Sequence, residues 1–109
     1  MTNEIGAVGK LVRDRIPEIS RANGDEPVVS RAEADEYRWR LREKLAEEVG
    51  EFLAADDESA IEELADVLEV VYALAAELGT DQAQLERVRA DKASQRGGFA
   101  ERIVWTGLR

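Results

Sequence analysis

The chain has no cysteine and no histidine among its 109 residues. Without cysteine there is no disulfide, no thiol nucleophile and no zinc–thiolate site. Without histidine the usual general base is missing, and with it the commonest transition-metal ligand. Acid–base chemistry near neutral pH must therefore fall to carboxylates or to metal-bound water. No stretch approaches the roughly 20 apolar residues of a membrane-spanning helix, and no signal-peptide pattern opens the sequence. A cytoplasmic protein with no membrane partner is expected.

Positive charge is also short. Fifteen lysines and arginines face 24 acids, for a net charge of −9. That balance argues against a nucleic-acid polymer as partner. It would also repel phosphorylated substrates, so such a substrate needs metal bridging and local cations. A chain of this length is expected to form one domain over residues 1–109. Its core would be modest, and small domains often add burial by oligomerising. No internal repeat or low-complexity tract interrupts it.

What the chain does have is acids in a pattern. Glu48-Val49-Gly50-Glu51 and Glu63-Leu64-Ala65-Asp66 each place two carboxylates at i,i+3, one turn apart on one helix face. Between them, Asp56-Asp57-Glu58-Ser59 is a polar break that lets two helices fold back antiparallel. Four carboxylates would then converge from facing helices. Such a group repels itself unless a hard cation sits in it, and oxygen-only ligands suit Mg²⁺, Mn²⁺ or Ca²⁺.

Phase tests which acids face inward. At about 100° per residue, the first helix carries an apolar stripe through Ala34, Leu41, Leu45, Val49 and Phe52. Glu48 lies at the stripe's edge and Glu51 on its flank beside Lys44, while Glu47 points toward solvent. In the second helix Glu63 is in line with Val67, Val70 and Leu74, and Asp66 is close to Val70; Glu62 and Glu69 fall on the polar side. An unpaired buried carboxylate costs several kcal/mol. A merely acidic surface, for which glutamate's helix propensity would suffice, needs no such phasing.

The remaining punctuation predicts an all-α antiparallel helical bundle. Residues 1–9 lack periodicity and read as loose or extended. Asp14 reads as an N-cap, with Pro17 in the first turn of a short helix that stops near Asn23-Gly24. Ser30-Arg31-Ala32-Glu33 has the capping-box form and opens a long helix to about Ala55; Ser59-Ala60-Ile61-Glu62 repeats it. That next helix ends at Gly79. It is apolar around most of its circumference, which implies burial on several sides and completion by a second subunit. Thr80 caps a fourth helix over about 81–95, stopped by Gly97-Gly98. Residues 102–106 read as extended and pair with Lys10-Leu11-Val12 in a short terminal β-ribbon.

The run Glu47-Glu48-x-x-Glu51 with Glu63-x-x-Asp66 resembles the signature of the all-α NTP pyrophosphatases, which include MazG-like enzymes, dimeric dUTPases and phosphoribosyl-ATP pyrophosphohydrolases. The step from Glu51 to Glu63 suits the compact MazG-like members. The strings Lys-Leu-Val-Arg-Asp-Arg-Ile-Pro-Glu at 10–18 and Arg-Gly-Gly-Phe at 96–99 resemble a short phosphoribosyl-ATP pyrophosphohydrolase-like subgroup. The resemblance implies a homodimer or homotetramer. It also implies Mg²⁺-dependent cleavage between the α and β phosphates of a nucleotide, with Mn²⁺ as a substitute. Glu48, Glu51, Glu63 and Asp66 would be the metal ligands, and Glu48 and Glu51 the catalytic carboxylates. Glu51 would take the proton of a metal-activated water.

Cations then become candidate phosphate contacts. Lys92 and Arg96, at i,i+4, would face the phosphates or simply favour their helix C-terminus. Lys10, Arg13 and Arg15 form the densest basic cluster and suit either phosphate contact or salt bridges. Trp39 and Trp105 suit base stacking or a subunit contact. Two other functions fit the same residues: phosphoribosyl-ATP hydrolysis, and a non-enzymatic oligomerisation or regulatory module with a structural cation.

Overall fold

The computed structural model describes residues 9–109; the expectation for the first eight lies outside them. Four α-helices follow in order among the described residues: α1 Ile16–Ala22, α2 Ala34–Ala54, α3 Ala60–Glu77 and α4 Gln82–Arg96. The fold class is all-α, as the helical periodicities predict. No helix is long and apolar enough to cross a membrane among these residues.

The helices start by other means than the sequence suggests. Arg15, not Asp14, precedes α1, although Pro17 does occupy the first turn. The box at Ser30 is unused: α2 opens four residues later, where the Tyr37 amide donates to the Glu33 carbonyl at 2.8 Å. Ser59 does precede α3, yet its hydroxyl donates to Asp56 Oδ1 at 2.8 Å instead of capping the helix. Asp81, one residue beyond Thr80, caps α4 by accepting from the Gln84 amide at 2.8 Å. Gly79 and Gly97 follow α3 and α4 with φ of 88° and 82°, the left-handed geometry that glycine supplies at helix ends.

Helices α2 and α3 pack as an antiparallel pair, while α4 touches α3 only lightly. The direction is fixed by two contacts. Glu48 meets Glu63 and Asp66, whereas Arg38, near the start of α2, meets Glu77 at the end of α3. Leu41, Val70 and Ala75 are the buried apolar residues, flanked by half-buried Leu45, Phe52, Val67 and Leu74. Ala34 and Val49, expected on the inner stripe, are exposed.

No β-strand occurs among the described residues, so the terminal ribbon is not formed. Arg102 has φ 60°, a left-handed turn that breaks an extended run at its first residue. Lys10 is drawn elsewhere, to Glu47 on α2.

Much apolar surface is left over. Ile61, Leu64 and Leu68 of α3 are 73%, 44% and 47% exposed, and Phe99, Ile103, Val104 and Trp105 are more exposed still. The radius of gyration is 18.0 Å, against about 13 Å for a compact domain of this length.

Candidate metal centre

Near the α2–α3 turn, carboxylates gather as the i,i+3 spacing requires. Oxygens of Glu48, Glu63 and Asp66 lie within 4.8 Å of one another, and so do oxygens of Glu47, Glu48 and Glu51. Glu48 belongs to both triads. It is also the buried member, 6% exposed. Converging carboxylate oxygens of this kind could hold a hard, oxygen-preferring divalent ion.

Glu47 joins this cluster against its solvent-facing phase. It is half-buried, held by Lys44 at 3.4 Å and Lys10 at 3.7 Å. Its place in the Glu-Glu-x-x-Glu run was the available signal; phase on one helix could not see a third element arriving.

The electrostatics show a group short of positive charge. Partial burial, then the nearby charges of Glu51, Asp66 and Glu48, push the Glu63 carboxyl above its ordinary range. Lys44 lies on the α2 face of the cluster, 3.2 Å from Glu48 Oε2. Burial pulls its ammonium down, but Glu48 and Glu47 outweigh that and the net shift is upward. Lys44 is a fixed cation.

The N-terminal segment supplies the rest. Arg13 donates to Asp66 Oδ1 at 2.7 Å. Arg40, buried on α2, donates to Glu36 at 2.6 Å and to the Gly9 carbonyl at 3.1 Å. Its guanidinium also stacks 4.7 Å from the Trp39 ring. The i,i+4 step from Glu36 to Arg40 would have flagged that pair.

An open groove of about 740 Å³ results. The 10–16 segment lines one side; Lys44, Glu47, Glu48 and Glu51 of α2, and Asp66 and Glu69 of α3, line the other. Lys92 and Arg96 are exposed on α4 and do not line it. Trp105, 77% exposed in the tail, is not at the groove either. Anionic ligand atoms, nearby cations and open access together suit a phosphate ester or anhydride bridged by metal.

Comparison with known proteins agrees with this chemistry. Residues 13–92 match the family described as phosphoribosyl-ATP pyrophosphohydrolase. That span takes in all five clustered acids. An uncharacterized protein of Mycolicibacterium smegmatis is 51% identical over 53 residues, which cover 49% of this chain and 54% of that protein. The chain thus matches about half the length of that relative. No solved structure matches.

Proposed function

The chain belongs to the phosphoribosyl-ATP pyrophosphohydrolase family, a branch of the MazG-like all-α nucleotide pyrophosphatases, and on that premise we propose that it is a Mg²⁺-dependent nucleoside triphosphate pyrophosphohydrolase. It cleaves between the α and β phosphates and yields a monophosphate and pyrophosphate. The observation that carries this reading is the shared buried glutamate, Glu48, joining two carboxylate triads from two helices.

Glu48, Glu63 and Asp66 would hold one ion, and Glu47 and Glu51 with Glu48 a second. When bound, the metal neutralises the polyphosphate and makes a water more acidic. Glu51, the exposed member of its triad, has the solvent access to take that water's proton. Lys44 keeps a positive charge beside Glu47 and Glu48 whatever the substrate does. Lys10 and Arg13 face the groove and are the phosphate contacts within one chain. Lys92 and Arg96 would reach the site only from a second copy.

A second copy is part of the proposal. The uncovered apolar faces of α3 and the tail, with the large radius of gyration, support a homodimer or homotetramer. Light scattering at micromolar concentration checks it; a monomer would refute that part.

The family's description favours one further substrate, phosphoribosyl-ATP, whose scissile bond is the same anhydride. A pyrophosphate-release screen over NTPs, dNTPs and phosphoribosyl-ATP separates the two. Turnover in Mg²⁺ or Mn²⁺, lost on adding EDTA, is expected. No turnover on any of them would end the enzymatic reading.

A further inference from the structure

The cations at the acidic cluster are of two kinds. Lys44 belongs to α2 itself, with a side chain only 17% exposed and its partners three and four residues away. It cannot leave without unwinding the helix. Lys10 and Arg13 come from far along the chain and are loosely held. The Arg13–Asp66 pair has side chains 55% and 40% exposed, and Lys10–Glu47 63% and 32%. Exposed pairs of that sort are worth about 0–1 kcal/mol, so each is easily exchanged.

The segment that carries them is held to α2 at its start, where Arg40 donates to the Gly9 carbonyl, and turns into α1 at its end, where the Ile16 amide donates to the Arg13 carbonyl at 3.0 Å. Beyond that start, the Lys10 and Arg13 side chains tie it to the acids. It is a strap whose grip there is on the same carboxylates a metal would claim.

We propose that Arg13 is an exchangeable counter-ion: it holds Asp66 while the centre lacks a divalent ion, yields that carboxylate when one binds, and turns to the pyrophosphate end of the substrate. This inference rests on the metal centre proposed above. The logic is charge balance. Metal-free, the cluster needs the strap's positive charge. A divalent ion bound by Asp66 competes for the carboxylate that holds the guanidinium and sets it free. A phosphate chain offers the freed charge a new partner, and guanidinium is the side chain best shaped to bind it at two oxygens. Arg13 would thus couple metal loading to substrate capture as a substrate-binding residue.

Calorimetry on the full chain tests this with two probes: Mg²⁺ alone, and inorganic pyrophosphate in saturating Mg²⁺. Arg15→Gln is the control for Mg²⁺ binding. It removes the same charge from the same groove, but Arg15 is paired with Glu18, 2.9 Å away, and not with the cluster. Arg13→Gln is expected to bind Mg²⁺ about three- to fivefold more tightly, the release of one exposed ion pair. It should bind pyrophosphate about tenfold more weakly, the loss of a charge-assisted contact. Arg15→Gln should shift Mg²⁺ affinity less than about twofold. Arg13→Lys, which keeps the charge and loses the fork, should fall between wild type and Arg13→Gln on pyrophosphate, and serves if the glutamine variant misfolds. Equal Mg²⁺ shifts for Arg13→Gln and Arg15→Gln would overturn the exchange, leaving only general groove charge. Weaker Mg²⁺ binding by Arg13→Gln would make the pair structural and overturn it too. Wild type that binds no Mg²⁺ would sink the metal centre itself, a different failure from binding without a difference.

Discussion

At one end of the α2–α3 pair, Glu36 and Glu77 are met by Arg40 and Arg38. At the other end, Glu47, Glu48, Glu51, Glu63 and Asp66 share one lysine from the same two helices. The helices and the antiparallel packing are common to both ends, yet among the described residues carboxylates gather within ligand distance of one another only at the second. Packing does not require that clustering. The balanced end shows how these helices dock when nothing else is asked of them. The unbalanced end borrows Lys10 and Arg13 to compensate and still leaves Glu63 shifted toward its neutral form. Such an arrangement costs stability in the bare chain, and the metal centre proposed above would account for it.

The strongest way to break the comparison is to neutralise one acid at each end. Glu48→Gln should cut pyrophosphate release at least about 100-fold, the scale of loss when a metal's support is removed, with weaker Mg²⁺ binding and unchanged helicity. Glu77→Gln, at an acid whose Oε1 is buried without a hydrogen bond, should leave the rate within about threefold, since it removes no transition-state contact. Comparable losses in both variants would mean that the two ends do not differ in function.

A smaller effect is expected on stability at the balanced end. Arg40 has a side chain 10% exposed and donates to both Glu36 and the Gly9 carbonyl. Arg40→Met should cost about 1–2 kcal/mol, the range for losing a partly buried charged donor, held down because Glu36 is 43% exposed and screened. Urea unfolding measures it. Arg15→Met, at an exposed pair, should stay within about 0.5 kcal/mol. A cost for Arg40→Met no larger than that would show that anchoring the 9–16 strap contributes nothing to the fold.

The same contrast explains what could be read from the chain. The acid pairs and the antiparallel helices were legible because both follow from local periodicity. The all-round apolarity of α3 was legible as well, and in one chain it is left uncovered at Ile61, Leu64 and Leu68. Glu47 was misplaced because helical phase describes one helix, whereas Lys10 reaches it across 37 residues of sequence. The β-ribbon was inferred from an extended pattern at both termini, but the acids hold Lys10 and the turn at Arg102 breaks the other strand. The i,i+4 spacing of Lys92 and Arg96 says which face they share and nothing about what that face meets. They lie on α4, away from the groove. Even the capping residues failed at α3, where Ser59 turns back to Asp56. Long-range charge set the departures at Glu47 and Lys10, whereas those at Ser59 and Arg102 are local.

Titration sharpens the comparison most finely, because two acids seven residues apart shift in opposite directions. The Ser59 hydroxyl and then the Ser59 amide hold the Asp56 carboxyl below its ordinary range. Its contribution to stability is present above the unfolded aspartate value and lost as pH falls through the lowered folded value. Ser59→Ala should therefore be slightly less stable than wild type at neutral pH, the gap closing on acidification. Glu63 has the opposite sign. Its folded value is raised, so the metal-free fold is favoured below the unfolded glutamate value and loses that advantage as pH rises through the folded one. In EDTA, Glu63→Gln should melt slightly above wild type at neutral pH, with no difference in acid. Added Mg²⁺ should reverse the order, because the ion stabilises only the chain that keeps the carboxylate. Thermal melts of the two variants across pH, with and without Mg²⁺, decide it. A Glu63→Gln chain that is less stable than wild type at neutral pH in EDTA would mean that the acids at this end are already balanced.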